Sequence, residues 1–226
     1  MSTSIIRVWD PFVRLFHWSL VTCFFIAYLS GEEESLIHIY SGYAVIMLVL
    51  SRMIWGFVGT KYARFGQFTY NTASFFRYLK DFAAGQPQHY TGHNPAAAWM
   101  IFALLFCLIL TSLSGLKVYG IEGYGPLASS PAAASSLTAD LSLIRDAHAK
   151  DYNKKAYREY YRSFDDDHED EEEAWEEIHE FFSSLTLFLV FVHIAGAFVA
   201  SRVHGENLIK AMITGDKLQH SDPGSD

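Results

Sequence analysis

Four stretches of about 20 residues carry almost no charge and are separated by polar, turn-rich segments. A bilayer core about 30 Å thick needs roughly 20 apolar residues in a helix, so each stretch is long enough to cross it. The pattern predicts membrane-spanning helices over Phe12–Ser30, Leu36–Val58, Ala97–Leu116 and Ile178–Ser201. Trp9-Asp10-Pro11 precedes the first and Asn94-Pro95 the third, with proline suited to a first helical turn and tryptophan to the membrane interface. Arg14, His17, His38 and Arg52 fall near span ends, where long side chains snorkel and polar ones face the bundle interior. Between Tyr70 and Ala83, the residues Phe75, Phe76, Tyr78, Leu79 and Phe82 accompany Arg77, Lys80 and Asp81, the pattern of a helix lying at the interface. The first apolar run follows Arg7 and Arg14 as a signal peptide would. It lacks a small-x-small cleavage site and ends in Ser30-Gly31-Glu32-Glu33-Glu34, so it is read as a retained span.

Composition narrows the class further. With 50% hydrophobic and 16% aromatic residues in 226, the chain does not read as a soluble enzyme or an all-β domain. Its net charge of -8 would repel phosphates, which excludes a nucleic-acid-binding module. Lysine and arginine are unevenly shared between the two ends of the spans. Ten (Arg7, Arg14, Arg52, Lys61, Arg64, Arg77, Lys80, Arg202, Lys210 and Lys217) fall on one side, against Lys117, Arg158 and Arg162 near the ends of the long third loop. By the positive-inside rule this predicts an all-α membrane protein, a four-transmembrane-helix bundle with both termini cytoplasmic and a long acidic outer loop between spans three and four. In a bacterial inner membrane that loop is periplasmic.

The expected organisation is a bundle built from residues 1–127 and 176–217, an outer insertion over 128–175 and a flexible tail over 218–226. The insertion opens with a Pro/Ala/Ser tract, Ser129 to Ser136. Residues 145–162 then carry six basic and three acidic side chains among four tyrosines, and residues 165–180 carry eleven acidic side chains. Three readings of the acidic run stay open: a solvated surface, internal pairing with the basic tyrosine-rich segment, or a docking surface for a basic redox partner steered by opposite charge. His168, amid the carboxylates, is a candidate ligand for a divalent metal. Cys23 and Cys107 lie inside apolar runs and no CxxCH occurs, which argues against covalent c-type haem.

Four of the ten histidines stand in or at the ends of spans. His179 and His193 are fourteen residues apart on one predicted helix, about 40° apart in azimuth and about 21 Å apart along the axis. One helix thus offers two imidazoles at two depths. His17 lies at the inner depth on span one and His38 at the outer depth on span two, so depth pairs His17 with His193 and His38 with His179. Facing imidazoles are what six-coordinate haem iron needs, and b-type haem needs no covalent attachment. Gly42 and Gly196 lie one turn beyond His38 and His193 on the same faces, where a small residue lets a flat macrocycle approach.

The run Arg7-Val8-Trp9-Asp10-Pro11-Phe12-Val13-Arg14-Leu15-Phe16-His17-Trp18 resembles the N-terminal signature of bacterial di-haem membrane cytochromes b. That group includes cytochrome b561 and the cytochrome b subunits of nickel-iron hydrogenases. His38-Ile39-Tyr40-Ser41-Gly42-Tyr43, Arg52 to Gly59, Tyr62 to Phe65, His93-Asn94-Pro95, Val192 to Gly196 and Ala211 to Gly215 extend the resemblance. It covers most of residues 7–127 and 176–217 and has no counterpart between about Ser129 and Trp175. The resemblance implies two haem b groups with His17, His38, His179 and His193 as axial ligands, and electron transfer between ubiquinone or menaquinone and a partner. The acidic loop suggests a periplasmic redox protein such as a c-type cytochrome for that partner. Arg14, Arg202 and His204 cluster at the cytoplasmic end, either to meet haem propionates or a quinone oxygen or, the better reading for Arg202, to anchor the bundle end by charge. Two rival readings are a superoxide oxidase passing electrons from superoxide to quinone and a haem-free ion transporter using the membrane histidines.

Overall fold

Each long helix begins where the sequence supplies a cap. Asp10 accepts the backbone N–H of Val13 at 2.8 Å, and Pro11 opens α1 (Pro11–Leu29). Ser35 caps α2 (Leu36–Val58), and Asn71 caps α3 (Thr72–Ala83). Asn94 accepts from Ala97 at 2.8 Å as Pro95 opens α4 (Pro95–Ile121), the same polar-then-proline device as in α1. Two further helices follow, α5 (Lys154–His204) and the short α6 (Leu208–Thr214), which Asn207 caps. The structure is a computed structural model and describes residues 3–31, 35–85, 88, 90, 92–122, 124–128, 154–205 and 207–220, with backbone alone for 3–6, 154–169, 204 and 217–220.

Four stretches are long and apolar enough to cross a membrane: Pro11–Leu29, Leu36–Val58, Pro95–Ile121 and Asp170–Val203. The four spans read from the sequence are therefore present, with ends that differ by a few residues. The fourth is the exception. Residues 154–204 form one helix that runs through the 175–176 boundary expected between insertion and bundle. The helix expected between Tyr70 and Ala83 is present as α3, and Phe75 packs its ring 5.7 Å from Trp99 at the start of α4.

By packing, the chain divides into two units. The first comprises residues 1–109 and 183–226, the second Leu110–Phe182. In the first, Phe24, Val45, Val49 and Leu108 form a core to which Leu20, Cys23, Met53, Ile109, Leu187 and Val190 add. These residues come from α1, α2, α4 and α5, so four helices share one apolar interior. Large side chains on the opposite faces point outward, Leu15 and Phe57 being 70% exposed and Met47 67%. An apolar exterior of this kind suits lipid rather than water. In the second unit, Lys117 on α4 pairs with Glu171 on α5 at 2.9 Å.

The spans are all helical, as expected, and one short ribbon lies outside them. Thr3–Arg7 (β1) and Asp216–His220 (β2) pair as an antiparallel ribbon, with Thr3 opposite His220 and Arg7 opposite Asp216. Residues 218–220, read from the sequence as the start of a flexible tail, thus lie in β2. The ribbon continues into the bundle: Val8 and Trp9 both donate to the carbonyl of Gly215, at 3.0 and 3.1 Å. The two ends of the chain meet on one side, as an even number of crossings requires.

Candidate functional site

His17 on α1 and His193 on α5 come together as depth pairing expects. Their ring centroids are 6.4 Å apart and their planes are inclined by 54°. His17 Nδ1 is buried with no hydrogen-bond partner, a state that costs about 1–3 kcal/mol when nothing meets the atom. The edge of Trp18 stands 5.2 Å from the His17 ring and steadies it. A β-carbon added at Gly42 or at Gly196 would meet no atom within 4 Å. Both glycines therefore leave open space one turn from a histidine.

His38 belongs to the first unit and His179 to the second, and each is held by its own surroundings. Ser35 accepts the backbone N–H of His38 at 3.3 Å, which places this histidine in the first turn of α2. His38 Nδ1 lies 2.9 Å from the carbonyl oxygen of Ala27. His179 Nδ1 lies 2.9 Å from the carbonyl of Thr111 and 3.2 Å from Ser114 Oγ. A carbonyl only accepts, so both Nδ1 atoms carry the proton and Nε2 carries the lone pair that a metal takes. Gly115 lets α4 approach the His179 ring, since a β-carbon there would stand 2.8 Å from Cε1. Sequence reasoning missed Thr111, Ser114 and Gly115. Their signal is three small or polar residues at helical spacing on one face of an otherwise apolar run.

The end of the bundle that carries the termini is rich in polar and aromatic contacts. Arg14 Nη1 donates to the carbonyl of Ile213 at 2.6 Å, while its Nε is buried without a partner. The side chain thus ties α1 to the last turn of α6, which Gly215 ends at φ +90°. Arg202 stacks over Phe198 at 4.6 Å. Arg52 is 4% exposed, donates to the Ala63 carbonyl at 3.1 Å and lies 4.8 Å over Phe65. Asp10, besides capping α1, accepts from Thr60 Oγ1 and from Trp55 Nε1 at 3.1 Å. Burial pushes its carboxyl up, but the hydrogen bonds from Thr60, Val13, Trp55 and Phe12 outweigh that and hold it below its usual range. His93 sits between Trp9 and Phe68, with centroids 4.5 and 4.4 Å away. The side chains of His168 and His204, and the pairing of the 145–162 segment with the acidic run, lie outside the described residues.

Among the described residues no group of three or more His, Cys, Asp or Glu converges. Two facing imidazoles without a third ligand are insufficient for a bare ion but complete a haem, which brings four ring nitrogens of its own. Imidazole nitrogen binds zinc at about 2.0–2.1 Å, which as a guide puts facing donors about 4 Å apart across a metal. A centroid separation of 6.4 Å allows for that gap plus the two ring radii.

Comparison with protein families matches prokaryotic cytochrome b561 over residues 8–215. The chain belongs to that family. Comparison with curated proteins and with solved structures finds no match. As a cytochrome b561-family protein it binds b-type haem and carries electrons within a membrane, and the residues present fit the group. The buried, unpartnered Nδ1 of His17, the facing His193 and the open space at Gly196 are the features a haem would meet.

Proposed function

We propose that this cytochrome b561-family protein moves electrons across the bacterial inner membrane through two b-type haems. One is held by His17 and His193 and the other by His38 and His179. Quinone, as ubiquinone or menaquinone, is the lipid-side partner. On the outer side the partner is a periplasmic redox protein, such as a c-type cytochrome, drawn to the acidic run. The observation that carries the reading is the pair of imidazoles facing each other at 6.4 Å with a buried, unpartnered ring nitrogen.

Bound haem supplies a one-electron ferric/ferrous couple. The chain's own residues do the rest. His17 and His193 present nitrogen donors from two helices of the same core, so the packing of α1 against α5 sets their spacing. Gly42 on α2 and Gly196 on α5 leave room for a flat group beside their helices. Val13, Phe16 and Phe24 are buried on α1 and keep water out of its bundle face. In this reading Arg14 brings a positive charge to the inner end, and its buried, unpartnered Nε supports a role in meeting a propionate or a quinone oxygen. Both termini are cytoplasmic in this reading. The paired ribbon at the two chain ends and the ten basic residues on that side support it.

Proteoliposomes enclosing ferricyanide test the function directly. Quinol added outside should reduce the enclosed oxidant through wild-type protein and fail to do so through His17→Ala. Equal reduction by both would remove the inner pair from the electron path.

A further inference from the structure

The surroundings of His179 contain more than a ligand needs. Thr111, Ser114, Gly115 and His179 all belong to the second unit, so their geometry is internal to it. Ser114 is 1% exposed, and its hydroxyl donates to the carbonyl of Leu110 at 2.8 Å. With its one proton committed to the helix backbone, Oγ turns a lone pair toward His179 Nδ1, 3.2 Å away. The Nδ1–H is therefore shared between Thr111 O and Ser114 Oγ, two acceptors one helical turn apart. Gly115 closes the arrangement from below, because any β-carbon there would displace the ring.

We propose that Ser114 is a positioning residue for His179: with the Thr111 carbonyl it fixes the tautomer and plane of the imidazole, strengthens it as a donor, and lowers the reduction potential of the haem that His179 holds. The inference rests on the assignment of His179 as an axial ligand. Its physical basis is general. An imidazole whose remote N–H is hydrogen-bonded donates more strongly to iron, and a stronger donor stabilises the ferric state over the ferrous. Ser114 bonds His179, whereas His17 lies on α1 beside His193. A change at Ser114 should therefore move one of two potentials and leave the other in place.

The test is a redox titration of the purified, haem-loaded protein, followed by optical and electron paramagnetic resonance spectra. His179→Ala first identifies which haem signal depends on His179. In Ser114→Ala, haem content should stay at the wild-type level. The ferrous state of that haem should be favoured about tenfold or more, an upward shift of about 59 mV for one electron. The g-values of the same haem should change, and Ser114→Thr, which keeps the hydroxyl, should restore both. Unchanged potentials and g-values in a fully loaded Ser114→Ala protein would overturn the proposal while leaving the ligand assignment intact. Two intact haem signals in His179→Ala would overturn the assignment itself. If Ser114→Ala does not assemble, Ser114→Cys, similar in size but a weak acceptor, is titrated in its place. Failure of both to assemble would make Ser114 a structural residue and count against a positioning role.

Discussion

A single methyl group separates two kinds of glycine in this chain. At Gly115 an added β-carbon lands on the His179 ring, 2.8 Å from Cε1, so Gly115→Ala must move the helix or the imidazole. Overpacking of this kind costs about 1–3 kcal/mol. The expected outcome is a lower haem-to-protein absorbance ratio, through loss at the haem that depends on His179. At Gly42 and Gly196 the same β-carbon meets nothing within 4 Å. Gly196→Ala should therefore leave the thermal unfolding of haem-stripped protein nearly unchanged while weakening haem binding, measured as slower or incomplete reconstitution. Equal losses in both assays would mean that Gly196 serves helix packing alone. The histidines were legible as residues, because an imidazole inside an apolar run stands out and the fourteen-residue spacing puts two on one face. The small residues opposing His179 were not, since Thr111, Ser114 and Gly115 differ little in polarity from their neighbours, and contact with another helix gives them meaning.

Among the elements, the start of α1 concentrates the largest share of polar bonding on one side chain. Asp10 caps the helix and also receives Thr60 and Trp55 from the end of α2 and the turn after it. Loss of a cap alone costs about 0.5–2 kcal/mol. The Asp10 carboxyl is held below its ordinary 3.8, so the stabilisation it provides is fully present above that value. It is lost as pH falls through the lower folded value. Acid unfolding of detergent-solubilised protein, followed by circular dichroism, should show this acid-side dependence in wild type and a weaker one in Asp10→Asn. A slope that survives the substitution would shift the effect to another carboxylate. Asp-Pro and Asn-Pro made the starts of α1 and α4 readable from the sequence. The course of α5 was harder to read, because the family resemblance has no counterpart before about Trp175 and that set a boundary there. No glycine or proline lies between Lys154 and Ala195, so charge changes there while nothing breaks the backbone. The ribbon escaped notice for the opposite reason: its two five-residue strands lie at opposite ends of the chain, with no turn between them to signal a hairpin.

For the molecule as a whole, the inside-out distribution of polarity governs everything else. Large apolar side chains are exposed on the spans, while Ser41, Arg52, Ser114 and Thr186 are buried, as lipid demands. The terminal ribbon and the Arg14 bond to Ile213 join residues near the two chain ends, on the side proposed to be cytoplasmic. A reporter fused after residue 226 should accordingly be active as a cytoplasmic fusion and silent as a periplasmic one; the reverse pattern would invert the assignment of inner and outer haem. The account stands most directly on how many haems the chain holds and which histidines hold them. The decisive measurement is the pyridine haemochrome content of purified wild type beside His17→Ala, His38→Ala and the double variant. Two b-type haems per chain, one in each single variant and none in the double is the result the account predicts; one haem in wild type, or two retained in either single variant, would contradict it.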